Sequence, residues 1–190
     1  ENTRLSGEET ITYHNNSKNK LEYLWMQLDQ NIRKKDAPAL EKGSSGMSPA
    51  STASRFADQY LKEPFDGGFN IEEVKAGGDK LSYTINNTMM RIDLPEPLEA
   101  GESFTFSVKW WYNINDHIKD GGRSGYEYFE EDGNYIYTIA QFFPRMCMYN
   151  DIYGWQNKQF LGRGEFTLIF GDYDVKITVP ADHILGATGE

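Results

Sequence analysis

Ser103-Phe104-Thr105-Phe106-Ser107-Val108-Lys109-Trp110-Trp111-Tyr112 is the stretch that decides the fold class. Phe104, Phe106, Val108, Trp110 and Tyr112 fall on one face. Ser103, Thr105, Ser107 and Lys109 fall on the other. A period of two with one apolar and one polar face describes a half-buried antiparallel strand.

The same period recurs on both sides of it. Upstream, Glu9, Ile11 and Tyr13 alternate with Glu8, Thr10 and Thr12, and Asn15-Asn16-Ser17 turns the chain. Leu24, Met26 and Leu28 share one face of the next strand, with Tyr23, Trp25 and Gln27 opposite, so that strand is expected to be covered on both sides. Phe69 to Val74 is a further candidate. Leu81, Tyr83 and Ile85 share a face, as do Met90, Ile92 and Leu94, and Asn86-Asn87 suits a hairpin turn between them. Pro95 and Pro97 are expected to close that segment. Downstream, Asn115 to Gly125 reads as a polar loop and Tyr135 to Phe143 as a strand ending at Pro144. Phe166, Leu168 and Phe170, then Tyr173, Val175, Ile177 and Val179, read as two strands around a Gly171-Asp172 turn. Short strands with regular turn signals, and no strand-helix-strand pattern, argue for an all-β, antiparallel, saddle-like β-sandwich.

One segment differs. Lys34 to Pro64 is rich in Ser, Ala, Gly and Lys, and Gly43 to Gly46 is expected to be mobile. Within it Ala53, Phe56, Ala57, Tyr60 and Leu61 have helical spacing, with Ser48 as cap and Pro49 in the first turn. The spacing predicts a short helix from about Pro49 to Leu61 on the sandwich surface, inside an insertion at about 34–64.

The chain has 190 residues, which suits one domain, 1–190. A chain of this size buries roughly 70% of its unfolded surface, so it needs no disulfide or metal staple. The formal net charge of -10 argues against nucleic acid and against an anionic membrane surface. No apolar run approaches the roughly 18 residues that span a bilayer, so no membrane insertion is expected. The sequence opens on Glu1-Asn2-Thr3-Arg4, in what reads as a turn, and is expected to be a piece of a longer polypeptide.

Motifs for catalysis are few. His14, His117 and His183 have no metal-spaced partners, and the chain holds no phosphate loop and no Gly-x-Ser-x-Gly elbow. Cys147 is the single cysteine, lies between Met146 and Met148, and reads as a packing residue rather than a nucleophile. Glu127, Glu130, Glu131, Asp132 and Asp151 read as a solvated acidic face rather than a glycosidase pair. Trp110, Trp111 and Trp155 have ring faces of the kind that stack on sugars. A carbohydrate-binding β-sandwich module is therefore the competing class.

The stretch Ile139-Ala140-Gln141-Phe142-Phe143-Pro144-Arg145-Met146, with Tyr149-Asn150-Asp151 after it, resembles the end of the N-terminal domain of the aminopeptidase N-like gluzincins, peptidase family M one. Leu161-Gly162-Arg163-Gly164-Glu165-Phe166 and Gly171-Asp172-Tyr173-Asp174-Val175-Lys176-Ile177-Thr178-Val179-Pro180 resemble its bacterial branch. So do Ala187-Thr188-Gly189, Leu5-Ser6-Gly7-Glu8-Glu9-Thr10 and Tyr13-His14-Asn15-Asn16-Ser17. The resemblance covers nearly all the chain except Lys34 to Pro64.

The resemblance implies a saddle-shaped β domain that caps a downstream thermolysin-like catalytic domain. The family's zinc, its His-Glu-x-x-His motif and its exopeptidase motif belong to that next domain. No cofactor is expected in this chain, and the chain alone is expected to be inactive. Gln141 matches a glutamine that the family places at the rim of the peptide-substrate pocket. Phe143 stands where some relatives carry a glutamate that holds the substrate's free amine, so it lines the pocket without neutralising an ammonium. Asp151 is expected to accept backbone hydrogen bonds in the corner, Trp155 to pack beneath it, and Gly162 and Gly164 to serve backbone geometry. A periplasmic or exported location is expected by analogy.

Overall fold

The alternation at Ser103–Asn113 becomes the central strand of a sheet in a computed structural model, which describes residues 3–37, 52–53, 61, 65–160 and 169–189. Seven strands build the body of the fold: β1 (Arg4–His14), β2 (Leu21–Gln27), β3 (Asn70–Ala76), β4 (Asp79–Lys80), β5 (Tyr83–Asn86), β6 (Met89–Leu98) and β7 (Ser103–Asn113). After a separate hairpin of β8 (Gly125–Phe129) and β9 (Asn134–Thr138), a two-residue β10 (Arg145–Met146) joins β1–β7 later in the chain. They form two four-stranded sheets, ordered β1-β7-β3-β4 and β10-β2-β6-β5, and every ladder is antiparallel. The fold is all-β, as the alternation requires.

The core lies between the sheets. Phe106, Val108, Trp110 and Tyr112 of β7 meet Leu24 and Met26 of β2, Met90 and Ile92 of β6, and Val74 of β3, all buried. Each such side chain contributes about 1.5–3 kcal/mol of transfer free energy. β2 is covered on both faces, with Gln27 as well as Met26 buried, as its two-faced pattern implied. Gly7 of β1 sits under the Trp110 indole. A Cβ there would come within 2.5 Å of Trp110 Cζ2, so only glycine admits this close approach.

Two turns follow their sequence signals. Asn86 pairs with Met89, and Asn87 adopts a φ of 50° in the intervening hairpin. Asn15 is buried and cross-links the corner after β1: its amide donates to the carbonyls of Asn19, Leu98 and Glu99, and its oxygen accepts from Ser17.

Pro95 and Pro97 do not close their segment, because β6 continues to Leu98. The reason is a slip in the ladder. Tyr23 pairs with Asp93 but Leu21 pairs with Leu98, so the prolines fall in a bulge where no N–H is needed.

The closing hairpin also differs. Residues 169–180 carry no strand, and Tyr173, Val175, Ile177 and Val179 are exposed. Alternation sets which way side chains face, but a strand exists only when a second strand takes its hydrogen bonds. The expected partner, with Phe166 and Leu168, falls outside the described residues, as do Gly162, Gly164 and nearly all of the helix expected over 49–61.

Glu9 is the one carboxyl that points inward from β1. Its Oε1 is buried with no hydrogen-bond partner among the described residues, and burial pushes its carboxyl up to about 8. In the unfolded chain the same group ionises near 4.5. Between these values the unfolded state holds fewer protons, so stability falls as pH rises, by up to about 1.4 kcal/mol per pH unit. Chemical denaturation at pH 5, 6.5 and 8 is expected to show this decline, and Glu9→Gln is expected to flatten it.

Candidate functional site

The segment between β9 (Asn134–Thr138) and β10 carries Gln141 and Phe143. The reading of Tyr135 to Phe143 as one strand holds only to Thr138. Beyond it the chain bends sharply, and Gln141 adopts a φ of 52°. Left-handed backbone at a residue with a Cβ costs about 1–2 kcal/mol, so something must hold it there.

The holding group is Gln30. It lies in a 3-10 turn, Asp29–Arg33, that follows β2, and it is buried. Its Nε2 donates to the carbonyl of Ala140 at 3.2 Å and to that of Gln141 at 3.1 Å. Ser124, also buried, fixes the same peptide from the other side: its Oγ donates to the Ala140 carbonyl and accepts from the Ala140 N–H, both at 3.0 Å. These bonds use the main chain of Ala140 and Gln141. The Gln141 side-chain amide has no hydrogen-bond partner among the described residues and stays half-buried with donor and acceptor both available.

Beside it the rings of Phe142 and Phe143 meet edge to face at 5.0 Å, and Phe143 meets Tyr173 at 6.0 Å. Both phenylalanines also pack on the core, and Pro144 is fully buried beneath them. Gln141 and Phe143 thus stand two residues apart in one corner, the first on a strained backbone and the second among packed aromatic rings.

An ion pair pins that corner from below. Arg145 Nε donates to Asp29 Oδ2 at 2.9 Å, and Nη2 reaches the same oxygen. The Asp29 side chain is 2% exposed and the Arg145 side chain 13%. Burial pushes the Asp29 carboxyl above its ordinary value, and the Arg145 guanidinium pulls it back only in part. Asn31 completes the turn: its amide donates to the Asn87 carbonyl at 2.7 Å, and its oxygen accepts from the Phe69 N–H at 2.8 Å.

Sequence reasoning did not single out Gln30, Asn31, Asp29 or Ser124. Their signal is faint but physical. Asp29-Gln30-Asn31 is a run of three polar residues straight after a strand with two apolar faces, where the chain has not yet left the core.

The remaining candidates resolve separately. In the corner it is Asn150, not Asp151, whose side chain accepts backbone hydrogen bonds, from Ile152 at 3.0 Å and Tyr153 at 2.8 Å. Asp151 is exposed at the tip. An amide or carboxylate caps the backbone two and three residues ahead of itself, and only Asn150 has that placement in this turn. Trp155 packs under the corner as expected, against Tyr149 and Tyr13, with ring centroids at 5.2 and 5.9 Å. Trp110 is buried in the core, and Trp111 points from the opposite face of β7 under the Arg4 guanidinium at 3.8 Å. The three tryptophans do not share a face. A shallow groove at the corner is lined by Tyr153, Trp155, Gln156, Asn157 and Lys158, none of them part of the Gln141 cluster.

Cys147 is buried against the Met89 sulfur, and burial pushes its thiol up to about 12, which makes it a packing residue with no thiolate at neutral pH. His14 bonds Ser103, His183 bonds Asp182, and His117 lies 3.7 Å from Glu127. Among the described residues no group of three or more His, Cys, Asp and Glu is placed to hold a metal ion. No helix there is long and apolar enough to cross a membrane.

Comparison with protein-family models, with curated proteins and with solved structures gives no match in any of the three.

Proposed function

We propose that the chain is the non-catalytic N-terminal β domain of a zinc-dependent, aminopeptidase-like metallopeptidase. In this reading it walls one side of the substrate cleft and supports a downstream thermolysin-like catalytic domain that holds the zinc. The observation that carries the proposal is the state of Gln141. Gln30 and Ser124 hold its peptide in a strained, left-handed bend, and the side-chain amide has no partner among the described residues. Strain that the surrounding residues over-determine is characteristic of groups kept in place for a ligand.

An amide so held offers one acceptor and two donors to an extended peptide. The Phe142 and Phe143 rings beside it give that peptide an apolar wall. Phe143 brings no charge, so any neutralisation of a substrate ammonium falls to the catalytic domain. The sequence resemblance over Ile139–Asp151 supplies the reaction class, and the family's zinc would polarise the scissile carbonyl in that second domain.

The test compares two proteins. The polypeptide extended beyond Glu190 is expected to hydrolyse aminoacyl substrates, to lose that activity to a chelator and to regain it with zinc. Residues 1–190 alone are expected to bind no zinc stoichiometrically and to hydrolyse nothing. Tight zinc in 1–190, or an extended protein without hydrolysis, sinks the proposal.

A further inference from the structure

β1 is an eleven-residue strand at the edge of its sheet. β7 takes one side of it along its whole length, and no described strand takes the other. A long free edge of this kind is a template for another strand. Its inward residues, Leu5, Glu9, Ile11 and Tyr13, are only half-buried, so apolar surface remains to be covered.

The chain also carries an extended segment with no strand partner among the described residues. Tyr173–Val179 makes no backbone hydrogen bond among the described residues, and its apolar members are exposed by 63% at Tyr173, 58% at Val175, 44% at Ile177 and 38% at Val179. Exposed apolar alternation with free backbone groups is the donor half of strand addition.

We propose that Tyr173–Val179 of one copy of this chain adds to the free edge of β1 in a second copy, antiparallel and with Lys176 opposite Glu8. That register follows from matching faces and charge. It sets Leu5 against Val179, Gly7 against Ile177, and Ile11 against Tyr173 on the core side, the Tyr173 ring giving up its edge contact with Phe143 of its own chain. On the outer side it pairs Ser6 with Thr178, Glu8 with Lys176 and Thr10 with Asp174. A shift by one residue would turn Val175 and Ile177 to solvent. A shift by two would lose the Glu8–Lys176 pair. Glu9 falls opposite Val175, and because its carboxyl is pushed up to about 8 it sets no charge against the arriving strand at pH 7.

Each copy carries both donor and acceptor, so the exchange is reciprocal and self-complementary, the usual condition for a two-fold dimer. This inference does not rest on the metallopeptidase reading. It needs only two elements that are unpaired among the described residues.

Sedimentation equilibrium of the chain over a wide concentration range tests it. The wild type is expected to dimerise, and Ile177→Lys to weaken the dimer at least tenfold. Ile177 lies outside the core cluster, so the variant is expected to keep its circular dichroism spectrum. A second arm mixes a Glu8→Cys chain with a Lys176→Cys chain, each also carrying Cys147→Ala. A disulfide between unlike chains supports the register. A monomer at every concentration, a dimer indifferent to Ile177→Lys, or no cross-link between the mixed chains overturns the proposal. So does a disulfide that forms within one chain carrying both cysteines in preference to the mixed dimer, since it assigns the segment to its own β1.

Discussion

Arg145→Met is expected to cost about 3–5 kcal/mol of folding stability, the usual consequence of leaving one member of a buried ion pair alone. Asp29 has nowhere to turn. It is 2% exposed, and its Oδ1 already lacks a hydrogen-bond partner among the described residues. Removing the guanidinium raises the Asp29 carboxyl further above its ordinary value, so in the variant it must take up a proton or remain a buried charge. The sign follows from linkage. The unfolded chain is the same reference for both proteins, so the deficit follows the two folded states. Where both folded proteins hold the Asp29 proton the ionic part of the deficit is absent. Above the wild-type Asp29 value, itself raised by burial, the wild type ionises while the variant keeps its proton, and the deficit widens. Denaturation of wild type and variant across pH 3.5 to 7 reads this directly. A pH-independent loss would mean that Arg145 matters only for packing. Asp29→Leu combined with Arg145→Met is expected to recover much of the loss, because an apolar pair carries no desolvation cost.

Gln141 gives the second large effect, on function rather than folding. Gln141→Ala keeps the Cβ and therefore keeps the strain, so its stability is expected to lie within about 0.5 kcal/mol of wild type. Gln141→Gly relieves the left-handed bend and is expected to gain about 0.5–1 kcal/mol. Both remove the amide. A neutral hydrogen bond to substrate contributes about 0.5–1.5 kcal/mol, which corresponds to a roughly 2- to 12-fold fall in kcat/KM. A site maintained against its own stability is expected to show this pattern: the more stable variant is no more active than the less stable one.

The sheets were legible in the sequence because half-buried strands write their facing directly into a period of two. Ser103 to Tyr112 is the clearest case, and Leu81 to Leu94 with its Asn86-Asn87 turn the next. Pro95 and Pro97 misled because proline forbids a ladder bond but not an extended backbone, and the bulge against β2 removes the need for the bond. Tyr173 to Val179 misled for the complementary reason, since its period is that of a strand while its expected partner lies outside the described residues. At the site, Gln141 and Phe143 were legible only through resemblance. Gln30, Ser124 and the Asp29–Arg145 pair were not legible, because they act across separations such as Gln30 to Gln141 that no local pattern encodes. Asp151 lost its role to Asn150 because the two have the same cap chemistry and differ by one position in the turn.

In the proposed function the Gln141 amide is held out for a peptide. The measurement that tests it most directly is kcat/KM for peptide hydrolysis by Gln141→Ala and Gln141→Gly in the longer, zinc-dependent protein proposed above. Both variants are expected to fall by a similar factor, roughly 2- to 12-fold, while the alanine variant keeps wild-type stability and the glycine variant exceeds it. Unchanged kinetics in both variants would contradict that role, and so would a loss confined to the glycine variant, which would make the bend rather than the amide the functional element.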